Sequence, residues 1–291
     1  MEQLIQWAVR YGIQRMMWRG PAWLVAIAIL LYLLFFGSAR AAMISTTSSA
    51  SIGVLAWGSG DVVDLDAGVQ VFDDQALFDG SENLDAWTRL GDLWLLSSST
   101  DSTIAGVSYL DGDVIAWDPS TNTATLFLAE GVFGGANEDI DALHAFDDER
   151  LALSTTSGAT LGGVSFASGD VVVFDMAAGI TSILFDGSDW FDASENIDAI
   201  SMLPDGSLLL SSSTDGMAGA LSFRDGDVLR VDLADQTITT WLSESIFGGA
   251  NEDIDALHQA VGTGAAPLPT SLALMGLGLL LVGRLHKRAT P

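Results

Sequence analysis

Glu138-Asp139-Ile140-Asp141-Ala142-Leu143-His144 reappears as Glu252-Asp253-Ile254-Asp255-Ala256-Leu257-His258. Two looser copies begin at Glu82 (Glu82-Asn83-Leu84-Asp85-Ala86) and Glu195 (Glu195-Asn196-Ile197-Asp198-Ala199), and the starts at Glu138, Glu195 and Glu252 are spaced 57 apart. A second element, Gly-Asp-Val, occurs at 60–62, 112–114, 169–171 and 226–228. A third, Leu-Ser-Ser/Thr, starts at Leu96, Leu153 and Leu210, again 57 apart. Self-similarity at a fixed period of this length marks a repeat architecture, and it decides the fold before local propensity is consulted.

Each copy contains four short runs rich in Val, Ile, Leu and Phe and bounded by Gly, Asp and Ser, which read as strands. In the third copy they are Asp170–Asp175, Thr181–Phe185, Ile197–Leu203 and Ser207–Ser211, with Leu203-Pro204-Asp205-Gly206 as a turn between the last two. One copy is then a four-stranded antiparallel meander of about 57 residues, the size of a propeller blade. The first copy is four residues short between its Gly-Asp-Val and Glu82, as a trimmed hairpin loop would be. The fourth copy lacks its Leu-Ser-Ser strand. Its replacement stands at the other end: Ile44-Ser45-Thr46-Thr47-Ser48 aligns without a gap to Leu153-Ser154-Thr155-Thr156-Ser157, each 16 residues before its Gly-Asp-Val. The N-terminal strand is therefore expected to complete the last blade, which closes a ring and removes open sheet edges. At fold level the body resembles a small all-β propeller of four blades; two packed antiparallel β units are the alternative. Copies two and four share FGGANEDIDALH (133–144 and 247–258), while one and three share SEN-x-DA and LSSSTD, which predicts pseudo-twofold symmetry.

The 291 residues carry 11 Lys+Arg against 38 Asp+Glu, a formal charge of −27. Seven basic residues cluster near the ends, so the middle holds Arg89, Arg150, Arg224 and Arg230 against 37 carboxylates, a net charge of −33, and no lysine. Such a surface repels phosphate backbones, which excludes nucleic acid as a partner and favours divalent cations or basic proteins. There is no cysteine, so disulfides and thiolate metal sites are excluded.

Both ends read as addresses. Residues 1–42 have the form of a signal peptide: a basic flank, an apolar run from Ala22 to Phe36, then Ser38-Ala39-Arg40-Ala41-Ala42, with cleavage after Ala41 or Ala42. An uncleaved anchor is the alternative. Residues 43–262 form the repeat body. The tail, 263–291, contains Ala266-Pro267-Leu268-Pro269-Thr270-Ser271, an apolar LALMGLGLLLVG segment (a short transmembrane helix) and a basic end, Arg284-Leu285-His286-Lys287-Arg288. Over residues 266–291 this order resembles the PEP-CTERM sorting tail of Gram-negative bacteria, with Leu268 in place of the usual Glu between Pro267 and Pro269. The resemblance implies processing by an exosortase-like membrane protease, after passage through the export machinery and signal peptidase. It also implies a route from an inner-membrane intermediate to the periplasm, cell surface or extracellular matrix. A plain C-terminal anchor is the alternative.

Three sets of aspartates recur once per copy: Asp61/Asp113/Asp170/Asp227, Asp66/Asp118/Asp175/Asp232 and Asp85/Asp141/Asp198/Asp255. The last set reads either as internal braces accepting backbone N–H bonds or as a carboxylate ring that holds a hard cation such as Ca²⁺. His144 and His258 fall at equivalent places in copies two and four, where they form either a transition-metal or acid–base pair or two half-buried structural histidines. Repeated serines have no nucleophile elbow around them. Trp57, Trp94, Trp117, Trp190 and Trp241 would stack on sugars if exposed and fill cores if not. The function expected is a non-enzymatic surface or exopolysaccharide-matrix module that binds a ligand, polysaccharide or basic protein, assisted by Ca²⁺. The alternative is a secreted carbohydrate-active or other hydrolytic enzyme with its site in the channel.

Overall fold

A computed structural model of the protein describes residues 42–78, 83–135, 138–248 and 252–259. Ala41, Pro267, Leu268, Pro269 and both apolar end segments lie outside the described residues. Among the described residues no helix is long and apolar enough to cross a membrane.

Four antiparallel four-stranded sheets surround a common axis, making a four-bladed β-propeller. From the axis outward, blade 1 is Ala256–Gln259, Ala42–Ser45, Val62–Asp64 and Val69–Phe72. Blade 2 is Leu84–Leu90, Leu93–Ser98, Val114–Asp118 and Thr123–Leu128. Blade 3 is Ala142–Ala145, Arg150–Ser154, Val171–Asp175 and Ile180–Phe185, and blade 4 is Ala199–Met202, Leu208–Ser211, Val228–Asp232 and Thr237–Leu242. Burial follows radius. The inner strands Ala142–Ala145 and Ala256–Gln259 are buried throughout, whereas half of the outer strand Thr123–Leu128 is exposed and only its last residue is buried. A strand sandwiched between neighbouring blades is covered on both faces, which explains runs such as Leu208-Leu209-Leu210 in place of alternation.

The predicted closure is present, and its position in the sheet is corrected. Ala42–Ser45 pairs antiparallel with Ala256–Gln259 on one side and with Val62–Asp64 on the other, so it is the second strand of its blade and not the last. The blade boundary moves with it. The runs read as one meander belong to two blades: Val171–Asp175 and Ile180–Phe185 are the outer half of blade 3, while Ala199–Met202 and Leu208–Ser211 are the inner half of blade 4. Further bonds across the join run from Thr47 N–H to the Asp253 carbonyl at 3.1 Å, from Gly248 N–H to the Ser51 carbonyl at 2.7 Å, and from Ser48 Oγ to Glu252 Oε2 at 2.9 Å.

Each blade also carries a two-stranded hairpin between its second and third strands, as in Ala159–Leu161 with Val164–Phe166. These were not foreseen: three-residue strands are too short to show a period. At its tip Gly162 and Gly163 both adopt positive φ (55° and 82°), the conformation a tight two-residue hairpin needs. The hairpins clasp the preceding crossover; Gly134 N–H donates to the Thr160 carbonyl at 2.7 Å. Four apolar clusters fill the spaces between blades. The one between blades 1 and 2 is aromatic, with Trp94 stacked on Phe72 (5.2 Å) and on Trp87 (4.8 Å). Trp57 and Trp94 are buried, and Trp117, Trp190 and Trp241 are partly buried against the core. The tryptophans are core residues here.

Candidate functional site: a carboxylate ring at the propeller axis

The bracing role belongs to a different aspartate set from the one at the axis. Asp113 Oδ2 accepts from Leu110 N–H at 3.0 Å and Oδ1 accepts from Glu130 N–H at 2.8 Å. Asp61, Asp170 and Asp227 do the same for Gly58 and Asp74, Ala167 and Gly187, and Arg224 and Glu244. Each of these carboxylates ties the third strand of a blade to the segment leaving its outer strand. The Leu-Ser-Ser serines join the same region; Ser211 Oγ donates to the carbonyls of Asp225 (2.9 Å) and Asp227 (3.0 Å). These serines hold backbone segments together.

Asp85, Asp141, Asp198 and Asp255 stand at the start of the four inner strands. Asp141, Asp198 and Asp255 are 2%, 5% and 2% exposed. Their charges act on one another around the axis: Asp85 is raised by Asp141 and Asp255, and Asp198 by the same two neighbours. Burial is the larger cause in every case, because a carboxylate removed from water loses solvation that its neutral form does not need. Asp85 is pushed up to about 9, and Asp141, Asp198 and Asp255 well above the usual carboxylate range.

The residue two places before each ring aspartate reaches back to the ring aspartate of the preceding blade. Asn83 Nδ2 donates to Asp255 Oδ2 at 3.4 Å, and Asn196, placed equivalently, lowers the pKa of Asp141. In the other two junctions the amide is replaced by an acid. Asp139 meets Asp85, and Asp253 meets Asp198. In each pair the neighbouring acid raises the ring member while the ring member lowers its partner, so the proton favours Asp85 and Asp198 over Asp139 and Asp253. Burial nonetheless lifts Asp139 and Asp253 to about 6. The pseudo-twofold symmetry read from the repeats thus appears as alternating carboxylate–amide and carboxylate–carboxylate contacts.

The cluster holds six carboxyl and two amide groups, and much of its oxygen is unused. Both oxygens of Asp141 and of Asp198, one each of Asp85, Asp139, Asp253 and Asp255, and the Oδ1 atoms of Asn83 and Asn196 are buried without a hydrogen-bond partner. Buried acceptors left unpaired are costly and rare in folded proteins. A concentrated set of hard oxygen atoms is the donor type that Ca²⁺ takes. The ring offers these oxygens in pairs and not as one tight shell. Among the described residues, the three acidic side chains whose oxygens come within 4.8 Å of one another are Asp61, Asp73 and Asp74. Their convergence was missed in the sequence because no spacing signature precedes it.

His144 and His258 lie on the inner strands of blades 3 and 1, which approach each other across the axis. Each is 8% exposed, and burial lowers His144 to about 4 and His258 to about 3, the latter also disfavoured by charge on His144 and Arg89. His258 Nδ1 is 3.2 Å from Thr88 Oγ1, a hydroxyl with no exposure, and Met202 N–H points to His144 Nδ1 at 3.4 Å. His258 also packs 5.4 Å from Trp87. Both rings are neutral, enclosed and engaged with structural neighbours. A cleft of about 440 Å³ beside blade 3 is lined by Asp170, Asp186, Phe191, Asp192 and Glu195 among others, and neither a ring aspartate nor a histidine contributes to it.

No protein family matches the sequence, and no curated protein is similar to it. Among solved structures, a hemopexin-fold protein from cow pea is similar at 12% identity and a TM-score of 0.37, over 62% of this chain and 79% of that one. The extracellular domain of a hybrid two-component system from B. thetaiotaomicron is similar at 8% identity and a TM-score of 0.32, over 69% of this chain and 28% of that one. These similarities are too low to bear on function, and the propeller rests on the strand order itself.

Proposed function

We propose that the protein is an exported surface or matrix module, without enzymatic activity, whose axial carboxylate ring takes up hard divalent cations such as Ca²⁺ and thereby rigidifies the propeller. The observation that carries this reading is the enclosed set of unpartnered oxygens from Asp85, Asp141, Asp198 and Asp255 with Asp139 and Asp253. A cation entering the ring displaces the protons that burial favours there and supplies the partner those oxygens lack. Against an enzyme stand the neutral, enclosed histidines and the structural engagement of the serines. Export rests on the signal-like N-terminus and the sorting-like tail, so signal peptidase and an exosortase-like protease are the proposed processing partners, and a polysaccharide or basic protein the proposed binding partner. Cleavage after Ala41 is the better of the two expected positions. Ala42 belongs to the closing strand, where its carbonyl accepts from Leu65 N–H at 2.9 Å, and cleavage beyond it would shorten that strand.

The test is thermal unfolding in EDTA and then in millimolar Ca²⁺. At a concentration 100 times Kd the native state gains about 2.7 kcal/mol. For a body of this size that is a rise of roughly 5–10 °C. An unchanged melting temperature from 0 to 10 mM Ca²⁺, about ten times the Kd of weak extracellular sites, rejects the cation reading.

A further inference from the structure

We propose a second cation site outside the axial carboxylates, at the crossover from blade 1 to blade 2, built from Asp61, Asp73 and Asp74 with the Oδ1 of Asn83, whose Nδ2 faces the ring, and taking Ca²⁺. Asp61, Asp73 and Asp74 each bring a carboxylate oxygen within 4.8 Å of the other two, close enough for one ion to touch all three.

A separate observation points to a missing ligand. Asp74 is 5% exposed, yet its Oδ1 has no partner, and the buried Oδ1 of Asn83 has none either. A Cβ added to Gly60 would lie 2.7 Å from both Asn83 Oδ1 and Asp74 Oδ2, which places these two oxygens side by side over a glycine. Gly60 is itself held at φ +75°, where a side chain is strained. Asp61 contributes as an already ordered group, since its two oxygens accept from Gly58 and Asp74 N–H and retain spare lone pairs. Asp73 caps the short helix Asp74–Leu77 by accepting from Ala76 N–H at 3.2 Å, and its exposed side chain forms the solvent side of the site.

The other blades do not repeat this arrangement. The place of Asp74, defined by the N–H bond to the bracing aspartate, is taken by Glu130, Gly187 and Glu244. The place of Asp73 is taken by Ala129, Asp186 and Ser243. Where glutamate replaces Asp74 its longer chain reaches a partner with one oxygen: Glu130 accepts from Glu138 N–H at 3.1 Å, and Glu244 pairs through Oε2 with Arg224 at 3.2 Å, although its Oε1 is unpartnered. Asp74 is too short for either bond, and its oxygens remain with Asp61 and Asp73.

The test is a Ca²⁺ titration of the ¹⁵N-labelled protein at pH 7.5, followed by NMR at the amides of Gly58, Gly60, Asp74 and Ala76. A site with three carboxylates and the remaining shell from Asn83 and water belongs with weak extracellular sites, so saturation with Kd of about 10⁻⁴–10⁻³ M is expected. In Asp74→Asn the same amides should require at least tenfold more Ca²⁺. Asp73→Asn, exposed and still able to cap the helix, should weaken binding similarly and guards against a folding defect in the first variant. Amides silent up to 10 mM Ca²⁺, or variants that bind as the parent does, would overturn the proposal. Ring variants separate the two sites. If Asp141→Asn abolishes the responses at Ala142 and Ala199 but leaves Gly60 unchanged, both sites stand. A response at Gly60 with none at the ring rejects the axial reading alone.

Discussion

Replacing Asp139 and Asp253 together by Asn makes the two unlike junctions of the ring chemically equal to the other two, where Asn83 and Asn196 already stand. Both acids are raised from 3.8 to about 6, first by burial. A shift of about 2 pK units at 1.36 kcal/mol each is about 3 kcal/mol per site. Both side chains are partly exposed, so about 1–3 kcal/mol per site is the realistic range. The sign follows from linkage: a carboxyl whose folded pKa is raised favours the native state below its unfolded value, and that contribution is lost as pH rises through about 6. At pH 7.5 both groups are therefore ionised at a cost that an amide avoids, and an amide can donate to a ring carboxylate or accept from its protonated form. Asp139→Asn/Asp253→Asn should melt higher than the parent in EDTA at pH 7.5, by roughly 5–15 °C. At pH 4.5 the parent acids are protonated in the native state but still largely ionised in the unfolded chain, so the difference should fall to about a third of its pH 7.5 value. The assay is differential scanning calorimetry at both pH values, repeated with Ca²⁺, whose stabilising effect should shrink in the variant because two ligand charges are gone. A variant no more stable than the parent at pH 7.5, or one whose advantage is as large at pH 4.5 as at pH 7.5, refutes the account of the ring.

Other consequences are simpler to check. Ile44, fully buried in the closing strand, should cost about 2–5 kcal/mol when changed to Ala, and deletion of 42–46 should abolish the cooperative transition in urea. The C2 protons of His144 and His258 should not titrate by NMR between pH 5 and 8, since both rings are neutral from about 4 upward; a midpoint near 6.5 would show that they are solvated. Asp113→Ala strands the N–H groups of Leu110 and Glu130 and should lower stability by about 1–3 kcal/mol for each group left buried, read from urea unfolding. Gly112→Ala drives a Cβ into the carbonyl of Glu138 and should destabilise by at least as much as Asp113→Ala, whereas Gly91→Ala meets no atom within 4 Å and tests backbone strain alone.

Much of the fold was legible because the period was. The number of blades follows from the four Gly-Asp-Val elements, and closure follows from Ile44–Ser48, which copies a strand that the fourth repeat lacks. The phase was not legible. A cyclic repeat has the same period wherever it is cut, so spacing cannot say whether Val171–Asp175 shares a sheet with the strands after it or before it. The hairpins were hidden for a related reason, being too short to carry a pattern.

The axial site shows the same division. Sequence identified Asp85, Asp141, Asp198 and Asp255 as a set and supplied the alternation of copies, but it offered Asp61, Asp113, Asp170 and Asp227 with equal regularity. Tertiary structure made the second set the braces and the first the ring, because only blade packing decides which strand faces the axis. Contacts such as Asn83 with Asp255, 172 residues apart, and the convergence of Asp61, Asp73 and Asp74 exist only after the ring has closed. What the chain determined by itself was a repeated, acidic, self-closing β architecture, through local pattern and period. Which carboxylates lose water and meet one another was left to packing, since burial and proximity belong to the assembled ring and to no single repeat.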